Sequence, residues 1–498
     1  MLKRKLGVAN KFVLDTTVPM RAENIVFASR INNNISYVSK NKFRFLNISH
    51  YFDNKIDWSY MVYGKLWAYN LNYFEYINQS DIAKKESLRL IESFSDSIKD
   101  NRTGLEPYPL SLRIINWIKF FVQNNIDDKR LNQLLWSQLQ LLSKNKEYHL
   151  LGNHLLENGF ALLFGAYYFD DKIMYQHAKQ IILDELNEQI LRDGAHFELS
   201  PMYHSLMTYR VLDVYNLVFS NELFAKELLQ FLKQKVELML SFLKVITFKN
   251  GDIPLVNDSA FGITPKPSQL FSYANQLELQ VNDIQLSDSG YRKFYGDNYE
   301  FFIDVGEVGP TYQPGHAHAD TFSFLLYISG RPVIIDTGTS TYEINETRFY
   351  ERSTYAHNTV SINKENSSQV WAGHRVGIRA NATILENNVE SVIAEHNGYE
   401  KKFGVKHKRS VECLANHIVM NDDIWGNKGE AHFHFAPNEY IEVKENLVIG
   451  QDFILTFENA TSLAISQSYC AFEFNEKKDI NKVSVSFENN LTTKIDFL

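Results

Sequence analysis

Ser241-Phe242-Leu243-Lys244-Val245-Ile246-Thr247-Phe248-Lys249-Asn250-Gly251-Asp252 is the stretch at which the chain changes period. Upstream, apolar residues recur at helical spacing. From Asp81, an N-cap by residue type, Ile82, Leu88, Ile91, Phe94 and Ile98 form one stripe. Further helices are predicted at about 109–124, 129–145, 154–168, 171–192, 203–219 and 221–246, parted by Asn124-Asn125, Asp170-Asp171, Asp193-Gly194 and Ser220-Asn221. Successive helices joined by short loops are antiparallel neighbours, which makes a bundle or a toroid of hairpins. No fixed repeat length recurs, so a regular solenoid is not expected.

Downstream the period becomes two. Strands are predicted at Tyr299–Val305, Phe322–Ile328, Pro332–Asp336, Thr359–Ile362, Thr383–Leu385 and Lys408–Leu414, punctuated by Ser329-Gly330 and Asn397-Gly398. Many short strands at this spacing suggest an antiparallel sandwich. Runs of helices followed by runs of strands argue against a parallel α/β sheet. The expected fold class is therefore multidomain, α then β. Its expected parts are an N-terminal segment 1–60 packing on the helices, a helical domain 61–250, a linker 251–297 carrying Pro254, Pro265 and Pro267, and a β domain 298–498.

With 498 residues, 44% hydrophobic and 22% charged, the chain is neither disordered nor fibrous. Aromatic residues make up 14%, which suits core packing and also a sugar-binding cleft. The balance of 51 basic against 59 acidic residues, with no long basic run, argues against a nucleic-acid partner. It also provides no global attraction for a polyanion, so an anionic substrate must be met by local groups. Cys413 and Cys470 lie far apart, and no CxxC occurs. No apolar run approaches the roughly 18 residues of a membrane span. The start, Met1 to Leu14, is basic, but Asn10, Lys11 and then Asp15 break its apolar stretch. No signal peptide is read there, so a cytoplasmic location is expected, with the periplasm as the alternative.

Three polar clusters interrupt the apolar pattern. The first, Gly152-Asn153-His154-Leu155-Leu156-Glu157-Asn158-Gly159, opens a helix with Asn153 at or near the N-cap, where backbone N–H groups favour a carboxylate. The second runs from Asp193-Gly194-Ala195-His196-Phe197-Glu198 through Ser200-Pro201-Met202-Tyr203-His204 and puts Tyr203 and His204 in the first turn of a helix. A Tyr hydroxyl works as base and acid only when neighbours lower its pKa. The third is Gly315-His316-Ala317-His318-Ala319-Asp320, then Asp336-Thr337-Gly338, then His357-Asn358. On a strand, His316 and His318 would share one face. Three histidines and a carboxylate suit a first-row metal, zinc being the usual ion. No GxSxG, HExxH, P-loop or dinucleotide fingerprint is present.

At these same three clusters the chain resembles the heparinase II/III-like polysaccharide lyases. The similarity spans roughly 60–250 and 300–380. It implies an incomplete (α/α) toroid followed by an antiparallel β-sandwich, with the active cleft between them. It implies cleavage of a uronic-acid polysaccharide by β-elimination, in degradation or in surface-polysaccharide metabolism. Carried onto this sequence, Asn153 and His154 would hold the uronate carboxylate, Tyr203 would exchange the proton and His316 would be its catalytic partner. His318, Asp336 and His357 would bind a structural zinc. Glu157, His204, Arg352 and Tyr355 are the further candidates for substrate contact.

The chemistry is coherent from below. Hydrogen bonds that neutralise a uronate carboxylate stabilise the enolate-like charge formed when C5 loses its proton. Two other classes fit the residues: a glycoside hydrolase on the same toroid, with Glu157 and Glu198 as its carboxylates, and a non-catalytic glycan-binding protein.

Overall fold

The computed structural model describes residues 12–22 and 24–498, and Met1 to Lys11, most of the stretch examined for a leader, lie outside them. The chain forms two compact units. One comprises the residues through Gln189, Met207–Glu237 and Gln269–Gln280; the other comprises Ile190–Leu206, Leu238–Ser268 and Val281–Leu498.

The first unit opens with a small antiparallel sheet of β1 (Tyr37–Ser39), β2 (Lys42–Phe45) and β3 (Ile48–Tyr51). The helices then follow in order: α1 (Lys65–Tyr73), α2 (Lys84–Ser97), α3 (Pro107–Gln123), α4 (Lys129–Lys144), α5 (Gly152–Phe169) and α6 (Lys172–Gln189). Helix α3 has Pro107 at its first position, where the missing N–H costs nothing, and it packs against α1, α4 and α5. Two predicted caps differ. Helix α2 is capped by the backbone of Ala83, because Asp81 instead accepts a hydrogen bond from Gln79 (2.6 Å). Helix α5 has Leu151 at its N-cap, which places Asn153 inside the first turn. Helices α7 (Pro201–Ser220) and α8 (Leu229–Ile246) contribute residues to both units, and α9 (Pro267–Gln276) follows.

The second unit is a sandwich. A four-stranded sheet runs β4 (Tyr291–Tyr295), β5 (Tyr299–Asp304), β6 (Phe324–Ile328), β7 (Arg331–Ile334). After α10 (Glu346–Glu351) come β8 (Val360–Ile362) and a short pair, β9 (Val370–Trp371) and β10 (Arg375–Val376). The large sheet is built from β11 (Ala382–Asn387), β12 (Ser391–His396), β13 (His407–Leu414), β14 (His417–His434), β15 (Ile441–Lys444), β16 (Leu447–Gly450), β17 (Phe453–Glu473) and β18 (Glu476–Phe497). Its order is β11-β12-β13-β14-β18-β17-β16-β15, with β8 also pairing β14, and every pairing is antiparallel. Both sheets share one core: Phe324 stacks on Phe301 (5.1 Å) and meets Phe433 edge-on (6.0 Å).

The segment expected as a linker is not one. Ile253 through Ala260 are all buried, because this irregular chain threads the second unit rather than crossing solvent. Cys413 and Cys470 are both buried and unbridged. No helix among the described residues is long and apolar enough to cross a membrane.

Candidate active site

In the helical unit, the first cluster forms around Glu147. Asn158 accepts from the Glu147 backbone N–H (2.8 Å) and donates to Glu147 Oε2 (3.2 Å) and Ser111 Oγ (3.1 Å). The carboxylate fixed in this way lies 3.3 Å from His154 Nδ1, and the His154 ring rests on Tyr108 at 4.5 Å. His154 keeps 35% of its side chain exposed, whereas Asn153 is nearly buried. Glu157 faces the other way. It is fully buried with Oε1 on Arg210 Nε (3.1 Å), and Arg210 also reaches Glu75 (2.6 Å). Burial raises its carboxyl to about 7 despite Arg210. It therefore anchors an ion pair and presents no surface to a sugar, which also removes it from a two-carboxylate hydrolase.

In the sheet unit, the second and third clusters come together on Asp258. Helix α7 starts at Pro201 with Ser200 ahead of it, and Ser200 Oγ accepts the Tyr203 N–H (3.2 Å) as a cap. The same hydroxyl donates to Asp258 O (2.7 Å), so the cap also fixes the next segment. Asn257 bridges both sides, donating to Leu199 O (3.0 Å) and accepting the His318 N–H (3.0 Å). Asp258 then sits between His316 Nδ1 on Oδ2 and His318 Nε2 on Oδ1, each at 2.9 Å, and Arg348 of α10 donates to both oxygens. Burial alone would raise this carboxyl, but Arg348 and the two imidazoles outweigh it and hold it well below the usual range.

Tyr203 packs against His316 with ring centroids 4.0 Å apart and the rings tilted by 32°, and its hydroxyl lies 3.3 Å from that of Tyr342. Glu198 Oε2 is 3.9 Å from His316 Nε2. Burial, then the neighbouring Tyr342 and the charges of Asp258 and Glu198, push the Tyr203 phenol well above its ordinary value. The phenol is thus held protonated, the opposite of the lowering that a base requires.

His316 and His318 are not on a strand. They lie in a turn and the loop after it, and they share Asp258 through its two oxygens rather than by strand alternation. His204 is buried, with Nδ1 accepting the His196 N–H (3.2 Å) and Nε2 on Met239 O (3.0 Å). Burial lowers its pKa to about 4. With both nitrogens engaged, it supports backbone and does not reach a substrate. Arg352 is equally internal: it donates to Ala317 O (2.9 Å) and to Trp371 O and Ala372 O (3.3 Å each). Tyr355 lies apart from Tyr203 and His316, its ring beside His432 (5.1 Å) and its carbonyl on Lys482 (2.7 Å). Gly194 of the second cluster is a backbone requirement: at φ +90 a Cβ there would lie 2.4 Å from Leu238 O.

For a metal, the donor atoms decide. His318 Nδ1 and His357 Nε2 are buried with no hydrogen-bond partner among the described residues, and their rings stand 5.3 Å apart. Asp336 uses Oδ2 on His357 Nδ1 (2.7 Å) and Oδ1 on the Gly338 N–H (2.9 Å), so it backs His357. Asp320 Oδ2 is a further buried oxygen without a partner. Two orphaned imidazole nitrogens, one backed by a carboxylate, fit a zinc-type donor set. Asp258, His316 and His374 bring three donor atoms within 4.8 Å of one another. There, however, both Asp258 oxygens are already engaged and Arg348 supplies the positive charge.

Asp258, Arg348 and Tyr342 escaped the sequence reading. The one available signal for Asp258 was the apolar run Ile253-Pro254-Leu255-Val256 directly before it, which marks buried chain rather than linker.

Comparison with known proteins follows the same division. The family model for the heparinase II/III N-terminus matches residues 94–279, and that for the heparinase II/III-like C-terminal region matches 280–498. Heparin-sulfate lyase of Bacteroides stercoris is 24% identical over 357 residues, covering 64% of this chain and 50% of that protein. Heparin-sulfate lyase of Pedobacter heparinus is 27% identical over 379 residues, covering 68% and 55%. The chain thus spans about half the length of these curated relatives. A crystal structure of heparinase III superposes with a TM-score of 0.69 at 16% identity, covering 90% of this chain and 80% of that one. That likeness assigns the fold, an incomplete (α/α) toroid of helices followed by an antiparallel β-sandwich. With both models matched in order over most of its length, the chain belongs to the heparinase II/III-like family.

Proposed function

We propose that the protein is a polysaccharide lyase that cleaves a uronic-acid-containing polysaccharide or oligosaccharide by β-elimination. The observation that carries this reading is Tyr203 packed against His316, whose Nδ1 is held by a buried, ionised Asp258. An Nδ1–H donated to Asp258 leaves the His316 Nε2 lone pair available as a proton acceptor. Its removal of the C5 proton sends the electron pair into a C4=C5 double bond, and the C4–O4 bond breaks. Tyr203, held protonated, donates its proton to the departing O4. This assigns Tyr203 to the acid half of the exchange, with His316 as its partner. Asn153 and His154 are the groups for the uronate carboxylate, with His154 Nδ1 engaged by Glu147. The heparin-sulfate lyase names of the two relatives favour a glycosaminoglycan-like substrate.

We further infer one divalent ion, zinc by residue type, held by His318 and His357 with Asp320 as the carboxylate, while Asp336 backs His357. When bound, it would tie together the loops that carry His316 and His357, a structural task.

The test is ultraviolet absorbance of purified protein with heparan, chondroitin, alginate, hyaluronan and bacterial capsular glycans. An unsaturated product with one of them is expected, and Tyr203→Phe should cut turnover by ~10²–10⁴ while glycan binding persists. Reducing ends released without absorbance would make the protein a hydrolase. Binding without any cleavage would make it a glycan-binding protein.

A further inference from the structure

Two buried lysines of the sheet unit differ in one respect. Lys293 of β4 has its counter-charge, Glu300 Oε1 at 3.0 Å, equally buried. Lys482 of β18 is 8% exposed and donates to Tyr355 O at 2.7 Å, but forms no ion pair with a carboxylate among the described residues. Its neighbours His432 and His434 are buried imidazoles, and Glu430 on the adjacent strand favours the charge without pairing with it directly. Burial lowers the Lys482 ammonium to about 8, so it still carries its charge at neutral pH. A desolvated cation with a carboxylate nearby but none paired to it directly remains a costly arrangement that an anion from outside the chain would complete.

Lys482 does not face a sealed core. It stands in register with Ser466 across the β17–β18 ladder, and the two line a pocket of about 330 Å³ with Tyr350, Gln467, Ser468 and Tyr469. That volume lies at the lower end of ligand sites, which run from about 300 to 1,000 Å³. Tyr350 Oη is 2.9 Å from Ser468 Oγ, and the Tyr350 and Tyr469 rings stand 5.5 Å apart. One ammonium ringed by hydroxyls, an amide and two phenol rings matches a ligand with an anionic group, hydroxyls and an apolar ring face.

We propose that this pocket binds one anionic saccharide unit, its carboxylate or sulfate on Lys482 and its ring against Tyr350 and Tyr469, as a site separate from Tyr203 and His316. The need for an anion rests on Lys482 itself; the choice of a saccharide rests on the lyase reading above.

The experiment is acylation of the full-length protein by an N-hydroxysuccinimide ester, with Lys482 followed by mass spectrometry in the presence of glucuronic acid, glucose or inorganic sulfate. Glucuronic acid should slow Lys482 acylation at least fivefold, leaving Lys293 unchanged, and glucose should not. Tyr469→Ala should abolish that protection without disturbing Lys482 itself, which keeps the test open should Lys482→Met fail to fold. Absence of protection by glucuronic acid overturns the proposal. Equal protection by sulfate, insensitive to Tyr469→Ala, overturns the saccharide and leaves a bare anion pocket. Because nothing here depends on turnover, failure of the lyase reading is seen separately, as absence of an ultraviolet-absorbing product.

Discussion

His50, His149, His154 and His177 all fall in the helical unit, and none is buried. In the sheet unit, His196, His204, His318, His357, His396, His407, His432 and His434 are buried, and His316, His374 and His417 are not. The contrast follows from how each element satisfies polar groups. A helix closes its own backbone bonds and needs imidazole only at an exposed turn, as at His154. The sandwich carries long irregular loops whose carbonyls and N–H groups need side-chain partners, and imidazole offers one donor and one acceptor. His204 on His196 N and Met239 O is that use in its plainest form. Most imidazoles of the sheet unit are therefore embedded in its stability, whereas those of the helical unit sit nearer the surface.

The sharpest test of this contrast is Asp258→Ala. It strands Arg348 in a buried site, and removing one partner of a buried pair costs ~3–5 kcal/mol. Chemical denaturation with region-resolved hydrogen exchange should show the sheet unit loosened first. An unchanged midpoint would mean that Asp258 serves only the chemistry.

Acid comes next. The His204 pKa is about 4 folded, against 6.5 for the free side chain. Its contribution is thus complete above pH 6.5 and is lost as pH falls from there towards 4, by about 3 kcal/mol at most. His196, at about 3 through burial, acts in the same direction. Exchange in the strands should rise over that window, and His204→Gln should flatten the dependence. Equal acid sensitivity in α3 and α5 would erase the contrast.

Chelation is a smaller lever. Removing a bound ion held at about a hundred times its dissociation constant costs about 2.7 kcal/mol, confined to the sheet unit. Elemental analysis should find about one equivalent of zinc; none, with melting indifferent to chelator, ends the metal proposal.

The smallest effect belongs to the helical unit. His154→Ala and Asn153→Ala should lower kcat about tenfold or more with little change in melting, because bonds to the carboxylate strengthen as charge enters it. A raised KM with kcat intact would make both residues simple positioning groups.

The helices and the shorter strands were legible because period alone marks them. Strand β14 was not, since Gly426 at φ +79 and the exposed stretch around it break its alternation. The clusters were legible as polar interruptions, but residue direction was not. Arg348 and Arg352 are four apart and of one residue type, yet the first holds Asp258 and the second holds backbone carbonyls. Spacing cannot separate two residues on one helical face. Glu157 failed for the same reason: its position in α5 was clear, and its partner Arg210 was not.

The separations at Asp258 carry a kinetic consequence. His316, His318 and Arg348 lie 58, 60 and 90 residues away from it, whereas β17 and β18 meet at Glu473 and Glu476. Closing long loops is slow and entropically costly, while a hairpin zips locally. During refolding the sheet signal should therefore return well before the Asp258 cluster closes, and a chain released early would carry its strands without that cluster.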